Sequence, residues 1–257
     1  MESSLQSLAR RALAALDLTS LGEEDTLVHI ESLCASAYTP FGAPAALCVY
    51  PEWVATCRAQ LIDRNLLRVR VATVVNFPDG SDDSERVRRE TCRALAAGAD
   101  EIDVVFPYRS LIGGDAASAA AVLRACRECC GDSVRMKVIL ETGELRIASV
   151  IRTAAEIALD ADADFLKTST GKVPVNATPQ AARVMLEAIR DRGADCGFKA
   201  AGGVRTLDDA ATYFAIADEL LGTAWATPDR FRFGASALLR DISRVLSGDA
   251  SVDGLEY

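Results

Sequence analysis

The chain has 257 residues, 50% of them apolar and 25% charged, a composition that supports a large buried core and excludes wholesale disorder. Its net charge of −9 opposes nucleic acid and anionic membranes, so neither is an expected partner, and an anionic ligand needs a local cluster of cations. The sequence offers no run of about 18 apolar residues for a membrane-spanning helix.

In chain order, Met1-Glu2-Ser3-Ser4 with Arg10-Arg11 and an apolar run broken by Asp17 reads as a short surface helix leading into a strand. It does not read as a secretory signal. Short β-rich runs follow at 13–18, 46–50, 69–76, 101–106, 135–141, 165–169, 197–201 and 231–234. Amphipathic helical stretches separate most of them, which predicts a parallel sheet. Eight such units in this length fit a closed (β/α)8 barrel better than an open sheet. Helix ends support the count. Thr178-Pro179 supplies a cap and an N1 proline, and Gly193 stops that helix. Thr206 with Asp209 resembles a capping box, and Gly98 ends the helix that begins near Asp82. No Pro/Gly-rich linker divides the chain, so residues 1–257 are read as one barrel domain. The polar stretch 247–257 is expected as a flexible tail.

Eight cysteines without a signal point to free thiols in a reducing cytosol, and the expected location is the cytoplasm. Cys126, Cys129 and Cys130 have helical i, i+3, i+4 spacing and read as the buried face of a helix rather than a metal cluster. The single histidine, His29, lies between apolar neighbours and reads as structural. One histidine argues against a catalytic zinc, so no metal is expected.

Polar residues inside the strands carry the chemistry. In Glu101-Ile102-Asp103-Val104-Val105-Phe106 the alternation turns Ile102, Val104 and Phe106 toward the helices and Asp103 into the barrel. The same rule sends Lys137 inward from Arg135-Met136-Lys137-Val138-Ile139. Lys167 and Lys199 fall mid-strand in Phe165-Leu166-Lys167-Thr168-Ser169 and Gly197-Phe198-Lys199-Ala200-Ala201. Lysine is rarely buried without a reason. Here, three successive strands bury one each. A lysine amine is nucleophilic only when neutral, and burial and a neighbouring ammonium both lower its pKa. Such an amine attacks a carbonyl to form an imine, an electron sink that lets an adjacent carbon–carbon bond break or form. Asp103 suits the accompanying proton transfers, alone or through a water. Glycine-rich turns follow three strands: Gly171-Lys172, Gly202-Gly203 with Arg205 beyond, and Gly234-Ala235-Ser236. Loops after the last barrel strands commonly hold phosphate through backbone N–H groups.

Three segments are the most specific: Ala99-Asp100-Glu101-Ile102-Asp103-Val104-Val105, Ala163-Asp164-Phe165-Leu166-Lys167-Thr168-Ser169-Thr170-Gly171, and Phe198-Lys199-Ala200-Ala201-Gly202-Gly203-Val204-Arg205-Thr206. Leu16-Asp17-Leu18-Thr19, Asn76-Phe77-Pro78, Glu141-Thr142-Gly143-Glu144-Leu145 and Phe233-Gly234-Ala235-Ser236 add to them. Over nearly its whole length the sequence resembles the deoxyribose-phosphate aldolase family of class I aldolases. The resemblance implies reversible cleavage of 2-deoxy-D-ribose 5-phosphate to D-glyceraldehyde 3-phosphate and acetaldehyde, with no cofactor. It implies Lys167 as the imine-forming lysine, Lys199 as the lysine that depresses its pKa, and Asp103 as the acid/base. Asp17 and Cys48 match positions lining the substrate site. Gly171, Lys172, Gly203 and Ser236 match the phosphate site. Thr19, Asn76, Lys137, Thr168, Gly202 and Gly234 complete the candidate substrate-binding set. Ala237 stands where some members carry a second serine, and Ala200 replaces a proline. Family members can end in tyrosine, which makes Tyr257 a candidate proton relay. Extended, residues 247–257 span roughly 35 Å, enough to reach a barrel mouth. The expected partners are a small sugar phosphate and acetaldehyde, and the resemblance leaves a homodimer open. The competing readings are another imine-forming barrel aldolase or transaldolase acting on a different sugar phosphate, and a catalytically silent barrel retained for binding.

Overall fold

The computed structural model describes residues 3–248. Eight parallel strands close into a barrel in sequence order: β1 (Leu16–Thr19), β2 (Ala46–Val49), β3 (Arg70–Val75), β4 (Glu101–Val105), β5 (Arg135–Ile139), β6 (Phe165–Lys167), β7 (Gly197–Ala201) and β8 (Phe231–Ala235). Closure comes from β1 pairing with β8, with Asp17 opposite Gly234. Eleven α-helices are described: α1 (Ser4–Ala14), α2 (Leu27–Ser36), α3 (Val54–Asp63), α4 (Ser84–Ala96), α5 (Tyr108–Ile112), α6 (Ala116–Cys130), α7 (Thr142–Leu145), α8 (Ala148–Asp160), α9 (Pro179–Arg192), α10 (Leu207–Leu221) and α11 (Leu238–Ser247). No helix among the described residues is long and apolar enough to cross a membrane.

The main core lies between strands and helices. Ile102, Val104, Met136, Val138, Leu166 and Phe198 turn outward and are fully buried, as expected of parallel strands covered by helices. Phe214 of α10 packs on Phe231 and Phe233 of β8 at ring separations of 4.8 and 5.0 Å. The helix starts follow their local chemistry. Thr178 caps α9 ahead of Pro179, and Thr206 with Asp209 forms a reciprocal capping box on α10.

Several boundaries differ from the sequence reading. Leu13 and Ala14 belong to α1, because Ala9, Ala12 and Leu13 make one buried helical stripe. The strand expected at 69–76 ends at Val75, since Asn76 takes a left-handed φ of 56°. Glu141, with φ 58°, likewise lies beyond β5. β6 ends at Lys167, so this lysine stands at the top of its strand rather than in the middle. Ser247 closes α11 instead of opening a tail. His29 is exposed on α2 and joins no core. Cys126 and Cys130 are buried on α6, but Cys129 is only partly so.

Candidate active site

The side chains that β1, β4, β5, β6, β7 and β8 turn into the barrel form one network of ion pairs. Asp103 stands at its centre. Its Oδ1 accepts from Lys137 Nζ at 2.6 Å, and its Oδ2 accepts from Lys167 Nζ and Lys199 Nζ, both at 2.8 Å. Asp17 accepts from Lys199 Nζ at 2.5 Å on one oxygen and from Arg232 Nη1 at 2.5 Å on the other. Glu101 pairs with Lys137 at 2.8 Å and with Arg232 at 3.3 Å. Partly exposed Arg135 joins Glu101 to Asp229 at the rim. The buried part thus holds four cations, Lys137, Lys167, Lys199 and Arg232, against three carboxylates, Asp17, Glu101 and Asp103. Burying an unbalanced charge is costly, so the cheapest state of this interior has one cation neutral.

Geometry and electrostatics select Lys167 as that group. Burial works against every charge in the network. For Lys137 and Lys199 it is outweighed by the carboxylates beside them, chiefly Asp103, and both ammonium groups are held above their ordinary range. Arg232 is raised likewise by Asp17 and Glu101 against the cost of burial. For Lys167 burial prevails over the attraction of Asp103 and is reinforced by Lys199, so its pKa is lowered. Both causes expected from the sequence, burial and a neighbouring ammonium, act here, and burial is the larger. Asp17, Glu101 and Asp103 are pushed up by burial yet held below the usual carboxylate range by the surrounding cations. Asp103 therefore rests ionised, 2.8 Å from the Lys167 nitrogen.

Lys167, though buried, also opens onto a cavity. The cavity, of about 270 Å3 at the C-terminal mouth, is lined as well by Thr19, Thr170, Gly171, Lys172, Gly202, Gly203, Arg205, Gly234 and Ser236. The other network residues lie beneath this floor. Gly202 and Gly203 take successive positive φ values of 82° and 89°, a path that side-chain-bearing residues rarely follow. α11 begins at this mouth, and its cap position, Ala237, makes no side-chain hydrogen bond. Its first amides are thus not spent on a cap side chain. A second cavity of about 320 Å3, between α7 and α9, has no residue of the buried charge network in its lining.

The DeoC/LacD family aldolase profile matches residues 11–243. The chain belongs to the DeoC/LacD family of aldolases. Among solved structures, a Toxoplasma gondii protein provisionally assigned as a deoxyribose-phosphate aldolase is 25% identical, with a TM-score of 0.87 over 96% of this chain and 98% of that one. A Coccidioides immitis protein with the same provisional assignment is 26% identical, with a TM-score of 0.80 over 95% and 87%. The deoxyribose phosphate aldolase of Aeropyrum pernix, at 24% identity and a TM-score of 0.72 over 95% and 93%, shares the fold.

In this aldolase the expected site residues fall into three groups. Lys167, Thr19, Gly171, Lys172, Gly202, Gly203, Gly234 and Ser236 line the mouth cavity. Asp103, Lys199, Lys137 and Asp17 form the charged floor under it. Cys48 is fully buried beside them, and burial pushes its thiol pKa up. Two residues are not brought to the cavity. Asn76 donates to the carbonyls of Ser81 and Val105 and accepts from the Ser81 amide, so it holds the turn after β3. Thr168 spends its hydroxyl on the Ala201 carbonyl and amide. Tyr257 lies outside the described residues.

Four further residues belong to the candidate site. Arg232 and Glu101 complete the charge network, and the strand alternation that turned Asp103 inward applies to both. Arg205 adds a second cation at the mouth. Glu141, fully buried in its left-handed backbone, accepts from the Thr170 amide at 3.2 Å and from its hydroxyl at 2.5 Å, and that hydroxyl accepts from the Lys172 amide. Glu141 thereby fixes the turn that carries Gly171 and Lys172.

Proposed function

We propose that this aldolase reversibly cleaves 2-deoxy-D-ribose 5-phosphate to D-glyceraldehyde 3-phosphate and acetaldehyde through an imine on Lys167. One observation carries the reading: Lys167 is the buried network lysine with lowered proton affinity, and it opens onto a cavity edged by cations and glycine turns.

The residues suit each step. The neutral Lys167 amine attacks C1 of the open-chain sugar, and Asp103 carries the proton released by the amine nitrogen to the departing hydroxyl, which leaves the carboxylate free again. Loss of water gives the imine. Asp103, directly or through a water, takes the proton of the C3 hydroxyl. The C2–C3 bond then breaks, and its electron pair moves into the imine to give an enamine. Glyceraldehyde 3-phosphate leaves with the new C3 carbonyl. Protonation of the enamine carbon and hydrolysis release acetaldehyde and restore the amine. Lys137 and Lys199 stabilise Asp103 as an anion between transfers. Lys172, Arg205, the Gly203 amide and Ser236 suit the 5-phosphate, with the start of α11 adding a favourable dipole. This concentrates positive charge at one point on an acidic protein.

The test is a comparison of substrates. Cleavage of deoxyribose 5-phosphate with release of acetaldehyde is expected. Turnover of a ketose phosphate with dihydroxyacetone as the donor, and none with acetaldehyde, would defeat the assignment. Lys172→Ala is expected to raise KM for the phosphorylated sugar about 10-fold, by loss of one charge-assisted contact. Its kcat/KM for unphosphorylated deoxyribose should stay at the wild-type value. An equal loss on both sugars would remove Lys172 from phosphate binding.

A further inference from the structure

We propose that Cys92 of α4 and Cys129 of α6 are a peroxide-reactive thiol pair that closes into an intramolecular disulfide. Their Sγ atoms lie 3.1 Å apart on the outside of the barrel, 37 residues apart in sequence. α4 and α6 are held in this register by the Arg88–Glu128 ion pair at 2.7 Å and, one layer deeper, by the Thr91 hydroxyl against Cys126 Sγ at 3.6 Å. Arg88 and Cys92 are one helical turn apart on α4, and Glu128 and Cys129 are adjacent on α6. The ion pair therefore fixes the approach of the thiols. Access separates this pair from the other cysteines. Cys34, Cys48, Cys57, Cys126, Cys130 and Cys196 are buried, whereas Cys92 is exposed and Cys129 is partly so.

The chemistry closes with peroxide as the oxidant. The Cys92 thiolate attacks one peroxide oxygen, the O–O bond breaks, and water leaves. Cys92 has then lost two electrons to become a sulfenic acid. Cys129 Sγ displaces the hydroxyl from that sulfur as a second water, and the S–S bond forms. Two thiols and one hydrogen peroxide become one disulfide and two waters. A small thiol such as dithiothreitol reverses the change by exchange. Burial, and then the contact with Cys92, push the Cys129 thiol up to about 11. The second step is consequently the slow one at neutral pH and accelerates as pH rises toward that value. Contact between the sulfurs compensates through high effective concentration. The bond ties two neighbouring helices of the outer ring, constrains the unfolded chain, and stabilises the fold.

The experiment uses the full chain, treated with a few molar equivalents of hydrogen peroxide, alkylated, digested and mapped without reduction. A peptide pair joined through Cys92 and Cys129, lighter by two hydrogens, is expected. The oxidised protein should unfold roughly 5 °C higher than the dithiothreitol-treated one. Cys92→Ser should abolish both effects, and Cys129→Ser should leave a sulfenic acid on Cys92 that dimedone captures. Each of these results supports the pair. Over-oxidation of Cys92 without linkage in the native sequence, linkage only between two copies, or no modification of either thiol would overturn it.

Discussion

Lys167→Ala is expected to lose at least about 10⁴-fold in kcat/KM, because the buried amine of lowered pKa that opens onto the cavity is then gone. The structure gives this variant a second, less obvious property. With Lys167 neutral, the buried network has three cations, Lys137, Lys199 and Arg232, facing three carboxylates, Asp17, Glu101 and Asp103. Removing a neutral amine leaves that balance intact. The variant should fold and keep a thermal midpoint near that of the native protein, so the lost activity will report chemistry and not unfolding. A variant retaining more than a few per cent of native activity would show that another group performs the attack.

Lys199→Leu is the opposite case. It removes a charged group that donates to both Asp17 and Asp103, and leaves two fixed cations under three carboxylates. A proton on Lys167 is what restores neutrality. Both the lost repulsion from Lys199 and the uncompensated carboxylates raise the Lys167 pKa, which shrinks the neutral fraction at a given pH. The lower limb of the pH–rate profile should therefore move to higher pH. Activity at neutral pH is expected to fall on the order of 100-fold. Lys199→Arg keeps the charge and should move the limb less. An unshifted limb in Lys199→Leu, whatever the drop in rate, would remove Lys199 from the control of Lys167.

The sequence made the barrel legible because each strand is a short apolar run set off by a helix, and the charged residues interrupting those runs stand out. Asp103, Lys137, Lys167 and Lys199 were found by that contrast. Glu101 and Arg232 obey the same alternation but were not picked out, one because it opens its strand, the other because it sits between two phenylalanines. Their partners could not be read in line. Arg232 meets Asp17 across 215 positions, a contact that exists only because β8 closes on β1. Asn76 and Thr168 carry suitable polar groups, but their hydrogen-bonding capacity goes to the backbone of neighbouring loops and strands, which no local pattern announces. Glu141 was quoted only as part of a segment, since its role depends on a left-handed backbone that few residue types signal. The position of Lys167 at the end of β6 rather than its middle is a boundary of two residues with a functional meaning, for it brings the amine to the cavity.

Every step of the proposed cleavage runs through an imine on Lys167. The most direct measurement is reduction of the full-length protein with borohydride during turnover of deoxyribose 5-phosphate, followed by mapping of the modified peptide by mass spectrometry. A single adduct, carrying the two-carbon or five-carbon unit, is expected on the peptide containing Lys167 and none in Lys167→Ala. An adduct on Lys137, Lys199 or Lys172 in the native protein, or turnover without any trapped adduct, would contradict it.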